Sequence, residues 1–241
     1  LGVAIAQTSF DTGESHERAA LKTLLISIDL DGVLIQADAL HSTLARVFQL
    51  AAEQGADLLL TVKHNQRRLY QQIFSQFRGH RHFPVEISDV ETGHGRRMRW
   101  QLKARNAAEA IRQRWAGASW IIELISDGWR DGKPFQHIHL FITTLRTSPK
   151  ALLRLVRQRW AMENQWHWPR DTQLGEALTT GQRNGVQVFA LLRTLALNLL
   201  RCNGFRSIRA GLMAVAHDIS RMLGWVGVSL QERDEMTFSQ P

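Results

Sequence analysis

Two short apolar runs, "DGVLIQADAL" (31–40) and "ADLLLTVK" (56–63), flank a segment of helical pattern at 41–54 that stops before Gly55. Strands joined through a helix do not form a hairpin. The connection is a crossover, and crossovers join parallel strands. This unit predicts an α/β chain with a parallel pair at 33–38 and 58–63. The first strand opens on an Asp-Gly turn and ends at Asp38. Ahead of it, "GVAIAQTSF" (2–10) has strand composition and "SHERAALKTLLI" (15–26) a helical pattern with Ser15 as N-cap. The opening run carries no charged n-region, so it does not read as a signal peptide. It reads as a strand entered partway, as though a segment upstream were missing.

A helix is expected around 65–77. From 80 to 147 the pattern changes to short extended runs, "FPVEIS", "RMRWQL", "SWIIELI" and "FQHIHLFITTL", separated by the turn signals "TGHG", "DGW" and "RDGK". That reads as a mainly antiparallel β insertion. Helices follow at 148–168 and, nearly apolar all round, at 184–201; the second must be buried or packed on a partner. From 204 onward only 208–223 is weakly helical.

Basicity limits the partners. The chain has 25 Arg against 5 Lys and a formal net charge of +8. The guanidinium fork suits phosphate, although an arginine-rich surface without a partner has the same composition. The single cysteine, Cys202, excludes an intrachain disulfide and a cysteine-built zinc site. The most apolar stretch, "VFALLRTLALNLL", is interrupted by Arg193 and is shorter than a bilayer span.

The helix "LVRQRWAMENQWHWPRD" (155–171) places a carboxylate where burial is expected. At 100° per residue, Leu152, Leu155, Val156, Trp160 and Trp166 gather on one side; Arg154, Arg157, Gln158, Ala161 and Gln165 fill the other. Glu163 falls in the middle of the apolar side. An unpaired buried carboxylate costs several kcal/mol, so Glu163 needs a cation, a hydrogen-bond network or a raised pKa. Arg159, four residues earlier, offers a structural ion pair. Alternatively Glu163 faces Asp38 across the sheet edge and the two share a divalent cation, which takes hard oxygen ligands. Asp38, for its part, is either a strand-end catalytic group or the N-cap of the helix beginning near His41.

Several segments resemble the bacterial insertion-sequence transposases of the DDE type, in particular the H-repeat-associated group. "LIQADAL" is similar to the family's "vtiDAm", "ADLLLTVKHNQ" to "DYllalKgNQ", "HGRRM" to "HGRiE" and "LFITTL" to "YYIsSL". The most specific likeness is "RQRWAMENQWHWPRDTQLGEA" to "R.HW.iENslHWvLDv.F.ED". The resemblance spans residues 2 to 201 and implies an α/β, ribonuclease H-like core with a β-rich insertion before the last catalytic helix. It implies core segments at 1–78 and 148–203, the insertion at 79–147 and a tail at 204–241. It places catalytic, metal-binding carboxylates on Asp38 and Glu163, with Mg²⁺ or Mn²⁺ as cofactor. Double-stranded DNA at element ends and target would be the partner, a homo-oligomer the working assembly, and the nucleoid-bearing cytoplasm the location. Lys63, Asn65, Gln66, Arg96, Arg159, Arg170 and Trp168 are the expected DNA contacts, with Arg159 and Arg170 resembling the flanking cations of a longer signature around this glutamate.

The chain also departs from the pattern. The family's first catalytic Asp lies in a strand of the type "iaiDGK", upstream of where this chain begins, and Asp11 aligns past it. Met98, Val156, Arg159 and Ala177 replace family-typical Glu, Tyr, His and an acidic residue. The expectation is therefore a truncated transposase, inactive alone. A non-catalytic DNA-binding remnant and a nuclease of the same fold are the alternatives. His137 and His139 share a strand face but read as ordinary strand histidines. Trp166 is expected in the core, with Trp168 and the charged "HGRRMR" turn available to DNA.

Overall fold

The computed structural model describes residues 2–9, 14–37, 44–79, 82–93, 96–130, 132–176 and 183–228. It divides into two compact units, residues 8–159 and residues 1–7 with 160–241.

The first unit contains α1 (Glu14–Ile26), β1 (Leu34–Ala37), α2 (Leu44–Glu53) and β2 (Asp57–Val62). β1 and β2 run parallel, with Leu34 beside Asp57 and Ala37 beside Leu60, as the crossover requires. Gly55 ends α2 at φ 74°, and a Cβ there would stand 2.6 Å from Asp31 Oδ1. The tight return into β2 thus needs glycine on conformational grounds, while the exposed Asp31 side chain could move aside. Beyond β2 a 3₁₀ turn (His64–Gln66) leads into α3 (Arg67–Gln76).

Four long strands follow: β3 (Val85–Gly93), β4 (Arg96–Asn106), β5 (Trp120–Arg130) and β6 (Lys133–Thr143), with the short α4 (Glu109–Arg112) before β5. β6 pairs antiparallel with β2, so the antiparallel run and the parallel pair form one sheet of order β1-β2-β6-β5-β4-β3. The architecture is mixed α/β.

Both faces of the inner strands are covered, which is why "LLLTV" and "LFIT" are apolar without alternation. On one face Leu58, Leu60, Val62, Leu140 and Ile142 join a core with Leu25 of α1, Phe48 of α2 and Ile73 of α3. On the other, Leu59, Phe141, Ile122 and Leu124 are buried. Helix α5 (Pro149–Met162) lies over that face, burying Leu152, Leu153 and Val156. Gln36 Nε2 of β1 donates to the Leu155 carbonyl at 3.3 Å. Arg157 donates to Asp89 at 2.7 Å and to Glu91 of β3, and its guanidinium stands 5.2 Å from the Trp100 ring centroid. The polar side predicted for α5 is thus partly a clamp onto the β3–β4 hairpin.

Asp57 and Thr144, both inside family-like segments, lock the entry of β2 against the exit of β6. Thr144 Oγ1 donates to Asp57 Oδ1 at 2.7 Å and accepts from the Leu58 amide at 2.9 Å. Thr143 Oγ1 donates to the Leu58 carbonyl. The Thr144 amide donates to the same Leu58 carbonyl at 3.1 Å, so side-chain and backbone bonds together tie the two strand ends.

The second unit holds a π-helical turn (Glu163–His167), α6 (Trp168–Thr172), α7 (Arg183–Cys202), α8 (Ile208–Val215) and α9 (Ile219–Trp225). Its core is Leu197, Leu200 and Ile208, packed by Trp166, Leu174, Phe205, Leu212 and Trp225. One sequence expectation is corrected here. Residues 2–9 form no strand. Instead Asn198 of α7 donates to the Ala4 carbonyl and accepts from the Ala4 amide, each at 2.8 Å. A carboxamide presents both N–H donors and a carbonyl acceptor, as a neighbouring strand would, so a strand-like sequence is satisfied by a helix side chain.

Helix α7 is two-sided. Thr194, Leu197, Leu200 and Arg201 are buried, while Val188, Phe189, Leu191, Leu192 and Leu195 are exposed. The sequence predicts a helix buried or packed on a partner; one face is buried within the second unit and the other is exposed. By length and composition, Gly185–Cys202 also suffices to cross a membrane; 17% of it is buried, and side chains on its inward face bind polar backbone groups of its own unit.

Candidate active site

Of the two expected catalytic carboxylates, Asp38 lies outside the described residues; β1 ends immediately before it, at Ala37. Glu163 opens the π-helical turn, and the description covers its backbone and not its side chain. Arg159, inside α5, and Arg96, the first residue of β4, are described to the same extent.

Parallel strands end at the same edge, so the chain leaves β1 towards Asp38 and β2 towards Lys63 on one side of the sheet. Open α/β sheets gather ligands at such an edge. Lys63 and Asn65 are exposed there and Gln66 is half-buried in the 3₁₀ turn. The structure therefore brings these three together. Arg96 stands apart from them. Val62 pairs with Leu140, Leu140 with Glu123 and Glu123 with Lys103, so Arg96 lies seven residues along β4 from that row, about 24 Å of strand.

The π-helical turn changes the geometry downstream of Glu163. Its wider, i→i+5 hydrogen-bonded loop shifts the helical phase, and such turns concentrate at functional sites. Trp166 packs into the second unit's core while Trp168 is 53% exposed, the division expected from spacing. Trp166 and Arg201, both reaching the same turn, hold it from opposite chemistries. Trp166 is apolar and meets Leu197, Leu200 and Ile208; Arg201 Nη2 donates to the Gln165 carbonyl at 2.8 Å.

Arg170 is engaged. Its Nε and Nη2 donate to the two carboxylate oxygens of Glu176, at 2.8 and 2.5 Å, and Nη1 donates to Thr194 Oγ1 at 3.2 Å. Arg170, an expected phosphate contact, is thus held by a carboxylate six residues along the chain. This bidentate fork is the strong form of the Arg–carboxylate pair, and the Arg170 side chain is only 14% exposed.

His137 and His139 follow one another along a face of β6 with ring centroids 6.3 Å apart. Among the described residues, no group of three or more His, Cys, Asp or Glu is placed to hold a metal ion. Both histidines lie within β6. Arg201, Asn198 and the Arg157 clamp had no signal in the sequence, because each binds a group whose position is set by the fold.

A family model described as the transposase DDE domain matches residues 2–199. Two Escherichia coli (strain K12) proteins, "Putative protein YbfL" and "H repeat-associated putative transposase YhhI", are each 26% identical over 202 residues. The alignments cover 78% of this chain and 52% of each relative, so the chain spans about half the length of the curated relatives it matches. With a family match over most of its length and a mixed α/β sheet of the matching kind, this chain belongs to the DDE transposase family.

Proposed function

We propose that the chain forms part of the catalytic core of an insertion-sequence transposase, cleaving DNA strands at element ends and joining them to a target. The observation that carries this reading is the family match across residues 2–199, combined with a π-helical turn that begins at the glutamate the likeness selects. In this reading β1 and β2 with their helices belong to a ribonuclease H-like core, and β3–β6 with α4 form the insertion that precedes the last catalytic helix.

Asp38 and Glu163 are the reacting-centre carboxylates. In donor chemistry they suit Mg²⁺ or Mn²⁺, since carboxylate oxygens are what hard divalent cations take. When bound, such an ion lowers the pKa of the attacking water or 3′-hydroxyl and stabilises the departing oxygen. Lys63, Asn65 and Gln66 contact DNA at the strand edge beside Asp38, Arg96 contacts it further along the sheet, and Arg159 holds phosphate near Glu163. Trp168 offers an exposed aromatic face to a base. Arg170 reaches phosphate only when Glu176 releases it.

The test is nicking of supercoiled DNA by the purified chain with Mg²⁺ or Mn²⁺. Nicking that Glu163→Gln and Asp38→Asn each abolish supports the enzyme and overturns the expectation that the chain is inactive alone. Salt-sensitive binding with no metal-dependent cleavage leaves a DNA-binding role in place of the enzyme. Cleavage without joining of a supplied 3′-hydroxyl end indicates a nuclease.

A further inference from the structure

We infer that Arg201 is a positioning residue for the candidate active site: its guanidinium takes up a carbonyl inside the π-helical turn and so fixes the backbone from which Glu163 projects. The inference rests on the reading of Glu163 as a reacting-centre carboxylate, and concerns what holds that residue in place.

A helical turn that widens from i→i+4 to i→i+5 hydrogen bonding disturbs the carbonyl ladder, and released carbonyls need other donors. The Gln165 carbonyl, in the middle of the turn, accepts from Arg201 Nη2 at 2.8 Å. The same guanidinium reaches forward through Nη1 to the carbonyls of Arg206, at 2.5 Å, and Phe205, at 3.3 Å. Arg201 therefore ties the π turn to the chain leaving α7. It is 9% exposed, and the acceptors seen for it are backbone carbonyls and not carboxylates.

That combination is unusual for structural arginine. Buried arginines are ordinarily matched by an acid, because removing a charge from water costs several kcal/mol. Three carbonyl dipoles compensate in part, and Nε has no hydrogen-bond partner among the described groups. A neutral apolar residue at the end of α7 would fill the space without that cost. What it would not do is hold the Gln165 carbonyl. Trp166, the next residue, buries against Leu197 and Leu200 on the same helix. The turn is thus pinned by one polar and one apolar contact, both from α7. Reacting groups displaced by about 1 Å lose on the order of a hundredfold in rate, so a pinned backbone matters where a carboxylate must meet a phosphate.

The test compares Arg201→Met, which keeps the length and removes the donors, with Arg201→Lys, which restores one donor. Arg209→Met, removing an exposed arginine on α8, controls for lost charge. Amide hydrogen exchange is followed in residues 163–170 and in β5 and β6. DNA affinity and metal-dependent nicking rate are measured separately. Expected for Arg201→Met are faster exchange confined to 163–170, a nicking rate down tenfold to about a hundredfold at saturating DNA, unchanged DNA affinity, and partial recovery in Arg201→Lys. Unchanged exchange in the π turn overturns the inference and leaves the function standing. So does a rate loss that merely tracks melting temperature, as judged against Leu212→Ala in the same core. If the wild-type chain shows no nicking that Glu163→Gln removes, the functional reading fails and the positioning role falls with it.

Discussion

Glu123 is 1% exposed inside the sheet, and Arg78 Nη2 stands 2.8 Å from its Oε2. The pair is held by charge more than by hydrogen-bond alignment, since Oε2 has no aligned donor. Removing Arg78 strands a buried carboxylate. Arg78→Ala is expected to destabilise by about 1–3 kcal/mol, below the usual 3–5 because Arg78 itself is reached by water. Arg78→Met with Glu123→Leu should cost less than Arg78→Ala alone, as read by urea denaturation. At Arg170 the question is competition. Glu176→Gln should weaken the fork, tighten DNA binding and steepen its logarithmic salt dependence by about 0.9, the increment for one added phosphate contact. An unchanged slope would make the fork purely structural. On α4 the Arg112 hydrogen bond, reinforced by its charge, lowers the pKa of Glu109. Its contribution is therefore present above the ordinary carboxylate range and is lost as pH falls through that lowered value. NMR titration of Glu109 with and without Arg112→Ala checks the direction, and salt should reduce it because the carboxylate is fully exposed.

Strands and helices were legible wherever their own residues decide them. The crossover between β1 and β2, the turn-separated strands β3 to β6 and the two long helices all follow from periodicity and turn chemistry. The N-terminal run was not, because β composition states only that a backbone wants a neighbour. Asn198 became that neighbour. The π-helical turn was equally invisible, since a change in hydrogen-bond register has no composition of its own. Close packing between strands also escapes the sequence. Gly128 of β5 sits opposite Met98, and a Cβ there would lie 2.2 Å from the Arg97 carbonyl oxygen. Gly128→Ala is expected to cost about 1–3 kcal/mol through forced displacement of β4, seen as a lower melting temperature and faster exchange in β4 and β5. Leu152→Ala, at 2% exposure on the buried side of α5, should cost about 2–5 kcal/mol by leaving a cavity between that helix and the sheet.

Taken entire, the molecule presents a sheet apolar on both faces at β2 and β6, and a helix, α7, apolar on a face that the described residues leave in water. Val188, Leu192 and Leu195 recur at helical spacing on that face. A surface of this kind binds hydrophobic dyes. The chain is expected to enhance the fluorescence of such a dye, and Leu192→Lys with Leu195→Lys should remove most of the signal without lowering the melting temperature. The sequence by itself determined the α/β class, the parallel pair, the basic character and, through a family-specific run of residues, the glutamate on which the reaction is proposed to turn. Those are properties of spacing and composition, written locally. Tertiary structure decided that one sheet unites the parallel pair with the antiparallel strands, that Arg170 binds Glu176 and that Arg201 holds the turn after Glu163. Each of these depends on which distant groups meet, and a long polar side chain carries no mark of the partner that folding will bring to it.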